Sequence, residues 1–433
     1  MTMIPQRPLG QTGLDVSVLA LGAGPIPELM THDDAPAQRD VLARALEHGI
    51  NWIDTAASYG DGRSETGIGR ALADLDAVEA FQIATKVRLM PEQLARQPIA
   101  QIVRESVESS LERLGVSTVA LLQLHNSITP SRGDLPTSLT PGDVLDPKGI
   151  LEAMCELQSE GLVGHLGITG LGDPDSLRRL IASGQFATVQ VPYHLLNPTA
   201  AEPAAVDWIE TDHGGVINDC GTAGMGVFAI RVYAGGALLG RPPAEHTHTT
   251  KFFPMDLYLR DTLRGEELAA ELPESTTPQQ AAVRFSLDHP VISSAIIGFS
   301  LPEHIDQAVA ALAAFLQERA LKRKRPTALT RLLPSVADCE WLLVRLLVLG
   351  EIVLAMGLVS GMALQYGETG TLLVLDHKTI LTITTFVVIG GLLIAHFKTG
   401  LRGRKAARIV LLAYLLLTLG YPGIKFVTDV ILA

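Results

Sequence analysis

The sequence is poor in cysteine, in charge and, above all, in basic residues. Three cysteines in 433 residues (Cys155, Cys220, Cys339) cannot build a disulfide framework, and none stands beside another ligand type at a zinc spacing, so no metal site is expected. Charged residues make up 18%, below the roughly 25% of ordinary soluble domains, and the mean hydropathy is +0.27. A disordered chain, which is rich in charge and poor in apolar residues, is thereby excluded. Lysine and arginine number 34 against 46 acidic residues, a net charge of −12. The deficit is confined to residues 1–325, which carry −15, whereas residues 326–433 carry +3. Nucleic acid is not an expected partner of so acidic a front part, because such binding is dominated by phosphate neutralisation. Residues 1–13 are polar and rich in proline and glycine, so they do not read as a signal peptide.

What is present changes character near residue 320. Up to residue 318, short β-type runs alternate with amphipathic helical patterns. The runs are 18–22, 51–54, 81–87, 119–124, 165–169, 188–191, 226–231 and 294–298, and the helices include 37–48, 99–114, 150–160, 175–183 and 278–288. Several runs are almost continuously apolar, as in a parallel sheet covered on both faces. Eight such strands with alternating helices fit a (β/α)8 TIM barrel over residues 1–318; a doubly wound open sheet is the alternative. The Gly-x-Gly of LALGAGP at 19–25 is no dinucleotide fingerprint, since no third glycine opens a helix at the required offset. Glu245-His246-Thr247-His248 reads as a polar loop over the barrel mouth, its two histidines being poorly spaced for zinc.

Residues 319–340 form a basic linker with Lys-Arg-Lys-Arg at 322–325, and an apolar region follows. Its segments 341–364, 379–397 and 409–432 each reach the roughly 20 residues that cross a bilayer. Lys398, Arg402, Arg404, Lys405 and Arg408 lie between the second and third segments, and Glu368 and Asp376 between the first and second. By the bias of lysine and arginine toward the cytoplasm, three transmembrane α-helices hold the barrel on the cytoplasmic side of a bacterial inner membrane. The expected partners of this part are the lipid bilayer and other membrane helices. Three buried core helices are the alternative, opposed by the lack of an outer face fit for water.

Four polar residues stand at or just past the C-terminal ends of successive strands. Asp54 ends the second, with Tyr59 five residues on; Lys86 is near the end of the third; His125 follows the fourth. In a parallel barrel these ends meet on one face, where barrel active sites lie. Burying a lysine, an aspartate and a histidine together costs free energy unless they pair, so their convergence points to chemistry. An ammonium on Lys86 stabilises the phenolate of Tyr59, and Asp54 holds that ammonium charged. A tyrosine so placed can pass a proton to a carbonyl oxygen while a hydride reaches the carbon, with His125 orienting the carbonyl through a hydrogen bond.

Residues 4–315 resemble the aldo-keto reductase family. The motifs that carry the resemblance are LGQTGLDVSVLALG at 9–22, NWIDTAASYGDGRSETGIGRAL at 51–72, ATK at 84–86, SLERLGVSTVALLQLH at 110–125 and GLVGHLGITG at 161–170. The family implies a (β/α)8 barrel that interconverts a carbonyl and an alcohol with NADP or NAD, acting on a small-molecule carbonyl substrate. Its catalytic tetrad falls on Asp54, Tyr59, Lys86 and His125. Its cofactor contacts fall on Gly22, Asp54, Thr169, Gln190, Ile230, Arg231, Gly298, Ser300 and His304. Among these, Gln190 matches the carboxamide contact, Ile230 takes the place of an aromatic under the nicotinamide, and Arg231 stands where it can approach the pyrophosphate. The resemblance does not settle between NADP and NAD, because the usual arginine or lysine of the adenosine-side loop at 297–303 is absent.

Residues 315–433 resemble the end of the cytochrome c assembly family of membrane proteins. The carrying motifs are LQERALKRKRP at 316–326, LLPSVADCEWLLVRLL at 332–347, LVSGMAL at 358–364, HKT at 377–379 and GLRGRKAARIVLLAYLLLTLGYPGIKFV at 400–427. That family handles haem, which makes His377 and His396 ligand candidates. The expectation is a membrane-tethered reductase; the alternative is a haem-handling assembly component whose barrel is a passenger, by an accidental gene fusion.

Overall fold

The structure, a computed structural model, describes residues 3–273, 276–322 and 336–370, with scattered positions between 383 and 394. The chain forms two compact units, Met1–Lys322 and Arg323–Ala433.

The first unit is a closed eight-stranded parallel barrel preceded by a small antiparallel hairpin of β1 (Gln6–Pro8) and β2 (Asp15–Ser17). The barrel strands are β3 (Leu19–Gly22), β4 (Trp52–Asp54), β5 (Gln82–Val87), β6 (Val119–Leu124), β7 (Val163–Thr169), β8 (Thr188–Pro192), β9 (Gly226–Ile230) and β10 (Ile292–Gly298). They are hydrogen-bonded in chain order, and β10 closes on β3. Closure disposes of the open-sheet alternative. Each expected strand is present to within two residues. The hairpin has too little periodicity to be read, and residues 232–275, patternless in sequence, contain a helix from Met255 to Glu271. Glu245–Thr249 is a short helix, not a loop.

The strands bury both faces, which explains their nearly unbroken apolar runs. Outward-facing Ile53, Leu122, Val189 and Val227 pack under the helices with Leu42, Ile68, Val107 and Leu180. Inward-facing Ala20, Trp52, Ala84, Leu121 and Phe228 fill the barrel, and Leu9 from the hairpin loop closes its N-terminal end. The rings of Trp52 and Phe228 lie 5.1 Å apart. Gly10 lets the loop lie this close: a Cβ there would stand 2.2 Å from the backbone nitrogen of Gly226, and its φ is +55°. Helix starts are capped locally. The Asp34 carboxylate accepts from the Ala37 amide, Asp173 accepts from Ser176, and Thr277 forms a capping box with Gln280.

Strand register brings the rim residues to one level. Gly298 pairs with Gly22, Gly22 with Asp54, Lys86 with Gln123, and Thr169 with Gln190. The last helix of the unit, Pro302–Lys322, ends inside the basic linker.

In the second unit, Val336–Thr369 form one helix of 34 residues. Where its side chains are described, apolar ones stand exposed, including Met356, Val359 (67%) and Leu364 (70%). Among the described residues no helix is long and apolar enough to cross a membrane. Most of the expected span 379–397 and all of 409–432, the arginine-lysine cluster from Arg323 on, and both His377 and His396 lie outside the described residues.

Candidate active site

The rim of the barrel gathers the tetrad. Lys86 is fully buried near the end of β5, and its Nζ makes three contacts. It lies 2.6 Å from Asp54 Oδ2, 2.8 Å from the Thr55 carbonyl and 3.0 Å from the Tyr59 hydroxyl. An ammonium has three protons, and all three are placed. Burial acts to lower the lysine's pKa, but Asp54 and Tyr59 outweigh it and hold the value above the ordinary one. The other Asp54 oxygen, Oδ1, accepts from the side-chain amides of Gln190 and, at 3.2 Å, Gln123. Asp54 thus has a full set of donors, and the pair is fixed in orientation.

Tyr59 sits in the loop after β4, its ring partly open to the mouth. Its hydroxyl is held by Lys86 from below, and the His125 ring stands edge-on at 5.6 Å. Burial, with the cations of Arg88 and Lys86 adding to it, keeps His125 well below the usual histidine range, so the ring is neutral at pH 7. A neutral ring has one donor and one acceptor nitrogen. Ser58 Oγ lies 3.3 Å from Nδ1, and Arg88 Nη2 lies 3.3 Å from each ring nitrogen. Chemically, the arrangement offers a proton at Tyr59, a fixed positive charge behind it and a neutral hydrogen-bonding ring beside it.

Gly22, Asp54, Tyr59, His125, Thr169, Gln190, Ile230, Arg231 and Gly298 line one cavity of about 300 Å³. A second cavity of about 240 Å³ adjoins it through Ile26, Arg231, Ile296 and Gly298. His304 lines the second cavity with Arg241, and Ser300 reaches it only through a 3.1 Å hydrogen bond to His304 Nδ1. The Thr169 hydroxyl is spent on the Leu124 carbonyl at 3.1 Å. Arg231 lies where the cavities meet. Its guanidinium packs 3.8 Å over the Phe253 ring, and a Cβ on Gly235 would come within 3.3 Å of it. Burial lowers its pKa to about 10, opposed by Asp261 and Tyr258, and no carboxylate of the described residues pairs with it. A half-buried guanidinium with no carboxylate partner among the described residues, over a glycine turn, suits a phosphate, so the residues present fit an extended dinucleotide.

Arg88, Ser58, Gln123, Phe252 and Phe253 also belong to the site and were not singled out in the sequence. Arg88 had a signal, since it lies two residues past Lys86 and so on the same side of the strand. The two phenylalanines come from the patternless stretch and had none.

A (β/α)8 barrel with this buried lysine, tyrosine and aspartate at its rim is the scaffold of an oxidoreductase. A family model described as Aldo/keto reductase family matches residues 18–324, and the chain belongs to that family of NAD(P)-dependent enzymes. A model described as Cytochrome C assembly protein matches residues 292–432. Among curated proteins, an uncharacterized 28.8 kDa protein of Azospirillum brasilense is 66% identical over 125 residues, 29% of this chain and 46% of that protein. The chain therefore spans about half the length of that relative. L-galactose dehydrogenase of Arabidopsis thaliana is 26% identical over 79% of this chain and 98% of its own length. Over 44% of this chain and 59% of its own length, the NADH-specific methylglyoxal reductase of Escherichia coli is 29% identical. An aldo-keto reductase from Bacillus halodurans shares the fold, with a TM-score of 0.52 at 23% identity over 71% of this chain and 91% of its own.

Proposed function

We propose that the protein reduces a small carbonyl compound to an alcohol, or the reverse, with Tyr59 as the proton donor, Lys86 and Asp54 as its charge support and His125 as the orienting group. The observation that carries this reading is the position of Lys86 Nζ, bonded at once to the Tyr59 hydroxyl and to Asp54. Bound NADH or NADPH supplies the hydride that reaches the carbonyl carbon. Tyr59 gives its proton to the carbonyl oxygen, and the phenolate left behind faces the ammonium of Lys86. Asp54, tied down by Gln190 and Gln123, keeps that ammonium in place. His125, neutral, donates a hydrogen bond to the same carbonyl oxygen and selects its orientation. Gly22, Ile230 and Gln190 would hold the nicotinamide end of the cofactor, and Arg231 its pyrophosphate. Gly298, with His304 and its partner Ser300, flanks the adenosine end. One relative is named an NADH-specific methylglyoxal reductase, which puts NADH within the family's range beside NADPH.

The test is Tyr59→Phe, assayed for NADH and NADPH oxidation against a panel of aldehydes and ketones. Loss of a general acid lowers turnover by about 10²–10⁴-fold. Wild-type rates in the variant overturn the assignment.

The membrane part of the reading is supported by the exposed apolar side chains within Val336–Thr369 and by the match of residues 292–432 to the cytochrome c assembly model. We place the barrel on the cytoplasmic side of a bacterial inner membrane, tethered through residues 341–433, with 319–340 as linker. The reductase is favoured over the haem-handling alternative because its family model takes in most of the chain, whereas the assembly model takes in only the last third.

A further inference from the structure

Arg88 carries a charge that no described residue neutralises. It follows β5 directly, lines the cavity with Tyr59 and His125, and is half-buried. Its Nε is buried and has no hydrogen-bond partner among the described residues. Arg44, Arg104, Arg113 and Arg260 each hold a carboxylate at 2.5–2.8 Å; Arg88 pairs with none among the described residues. Burial lowers its pKa, and Tyr59 alone opposes the shift. A guanidinium remains charged even so. Its contact with His125 is no compensation, because that ring is neutral and accepts one hydrogen bond. Desolvating a cation without a counterion costs free energy, and the protein places this one at the mouth of a barrel whose front part is strongly acidic. Among the described residues it has no counterion, so the place beside it is open to an anionic ligand.

We infer that Arg88 seats a carboxylate on the substrate, so that the enzyme acts on 2-oxo acids in preference to neutral aldehydes and sugars. This rests on the proposed carbonyl reduction at Tyr59. A carbonyl oxygen bonded to His125 lies about 3 Å from the ring nitrogen. Arg88 Nη2 is 3.3 Å from that same nitrogen, so cation and oxygen are separated by about 6 Å at most. A carboxylate attached directly to the carbonyl carbon bridges that distance, and the guanidinium fork grips it bidentately. Leu171 and Phe252 line the same cavity and give an apolar wall for the side chain of the acid. The reaction balances simply. Hydride adds to C2, the Tyr59 proton goes to the oxygen on C2, and the carboxylate leaves unchanged in a 2-hydroxy acid. Neutralising the carboxylate also makes the adjacent carbon a better hydride acceptor.

The experiment uses the full chain purified in detergent. Phenylglyoxylate is compared with phenylglyoxamide, a neutral compound of the same shape, in wild type, Arg88→Met and Arg88→Lys. The wild type is expected to favour the acid at least 30-fold in kcat/KM. In Arg88→Met that ratio falls at least tenfold, chiefly through KM of the acid, and Arg88→Lys keeps part of it. A wild type that reduces the amide as well as the acid overturns the inference, as does an Arg88→Met that loses both substrates alike. Calorimetry with oxamate and oxamide, neither of which is reduced, separates this from the reductase reading. Oxamate binding at least tenfold tighter than oxamide, and lost in Arg88→Met, upholds the carboxylate seat even if no carbonyl is turned over. Equal binding of the two rejects it even if Tyr59 proves essential.

Discussion

Gly298 and Gly22 stand opposite each other on the paired strands β10 and β3, and a methyl group on Gly298 would lie 2.2 Å from Cδ of Pro27. The absence of a side chain keeps in place the Ile26–Pro27 wall of the second cavity, of which Ile26 also lines the first. Gly298→Ala displaces that wall into the space assigned to the dinucleotide. Affinity for NADH and NADPH is expected to fall about tenfold, equivalent to about 1.4 kcal/mol, as read by nucleotide fluorescence. Unaltered dissociation constants contradict the placement of the cofactor.

Lys86 and Asp54 form an ion pair whose side chains are 0% and 5% exposed. Asp54→Asn leaves a buried ammonium without its counterion, which costs about 3–5 kcal/mol. Urea unfolding of the variant should show that loss. The double variant Asp54→Leu with Lys86→Met removes both charges and should recover much of the stability while remaining inactive. A single variant as stable as wild type shows that the pair is not buried as described.

His213 is buried in the barrel unit, and burial lowers its pKa from 6.5 to about 4. Between those values the unfolded chain binds a proton that the folded chain refuses. Stability is therefore complete above about pH 6.5 and declines as the pH falls toward 4, by up to about 3 kcal/mol from this residue. His213→Gln should flatten the pH dependence of unfolding in that window relative to wild type. Parallel curves for the two proteins would show that His213 does not contribute.

The membrane reading predicts that the full chain sediments with membranes, resists extraction by salt and alkaline carbonate, and is released by detergent. Residues 1–322, a compact unit by themselves, should stay in the supernatant. Release of the full chain by salt alone would reduce the tail to a peripheral contact.

The sequence carries the barrel because its strands are buried on both faces, and that leaves unmistakable apolar runs. The tetrad is legible for a related reason: Asp54, Lys86 and His125 are polar residues at the ends of runs that are otherwise apolar. Gln123 and Arg88 obey the same two-residue alternation, Gln123 inside β6 and Arg88 just past β5, but a lone amide or cation near a strand end looks ordinary until its partners are known. Phe252 and Phe253 are of another kind. They reach the mouth from the irregular segment between β9 and the helix Met255–Glu271, where position is set by contacts distant in the chain and no periodicity records it. The positive φ of Arg231, +57°, is equally silent in the sequence, although it aims the one guanidinium that reaches both cavities.

The hairpin loop has a consequence for access. Leu9, Trp52 and Phe228 stopper the end of the barrel opposite the rim, so the catalytic well is closed from below. Whatever enters or leaves it therefore passes the rim, where Tyr59, Arg88 and His125 stand.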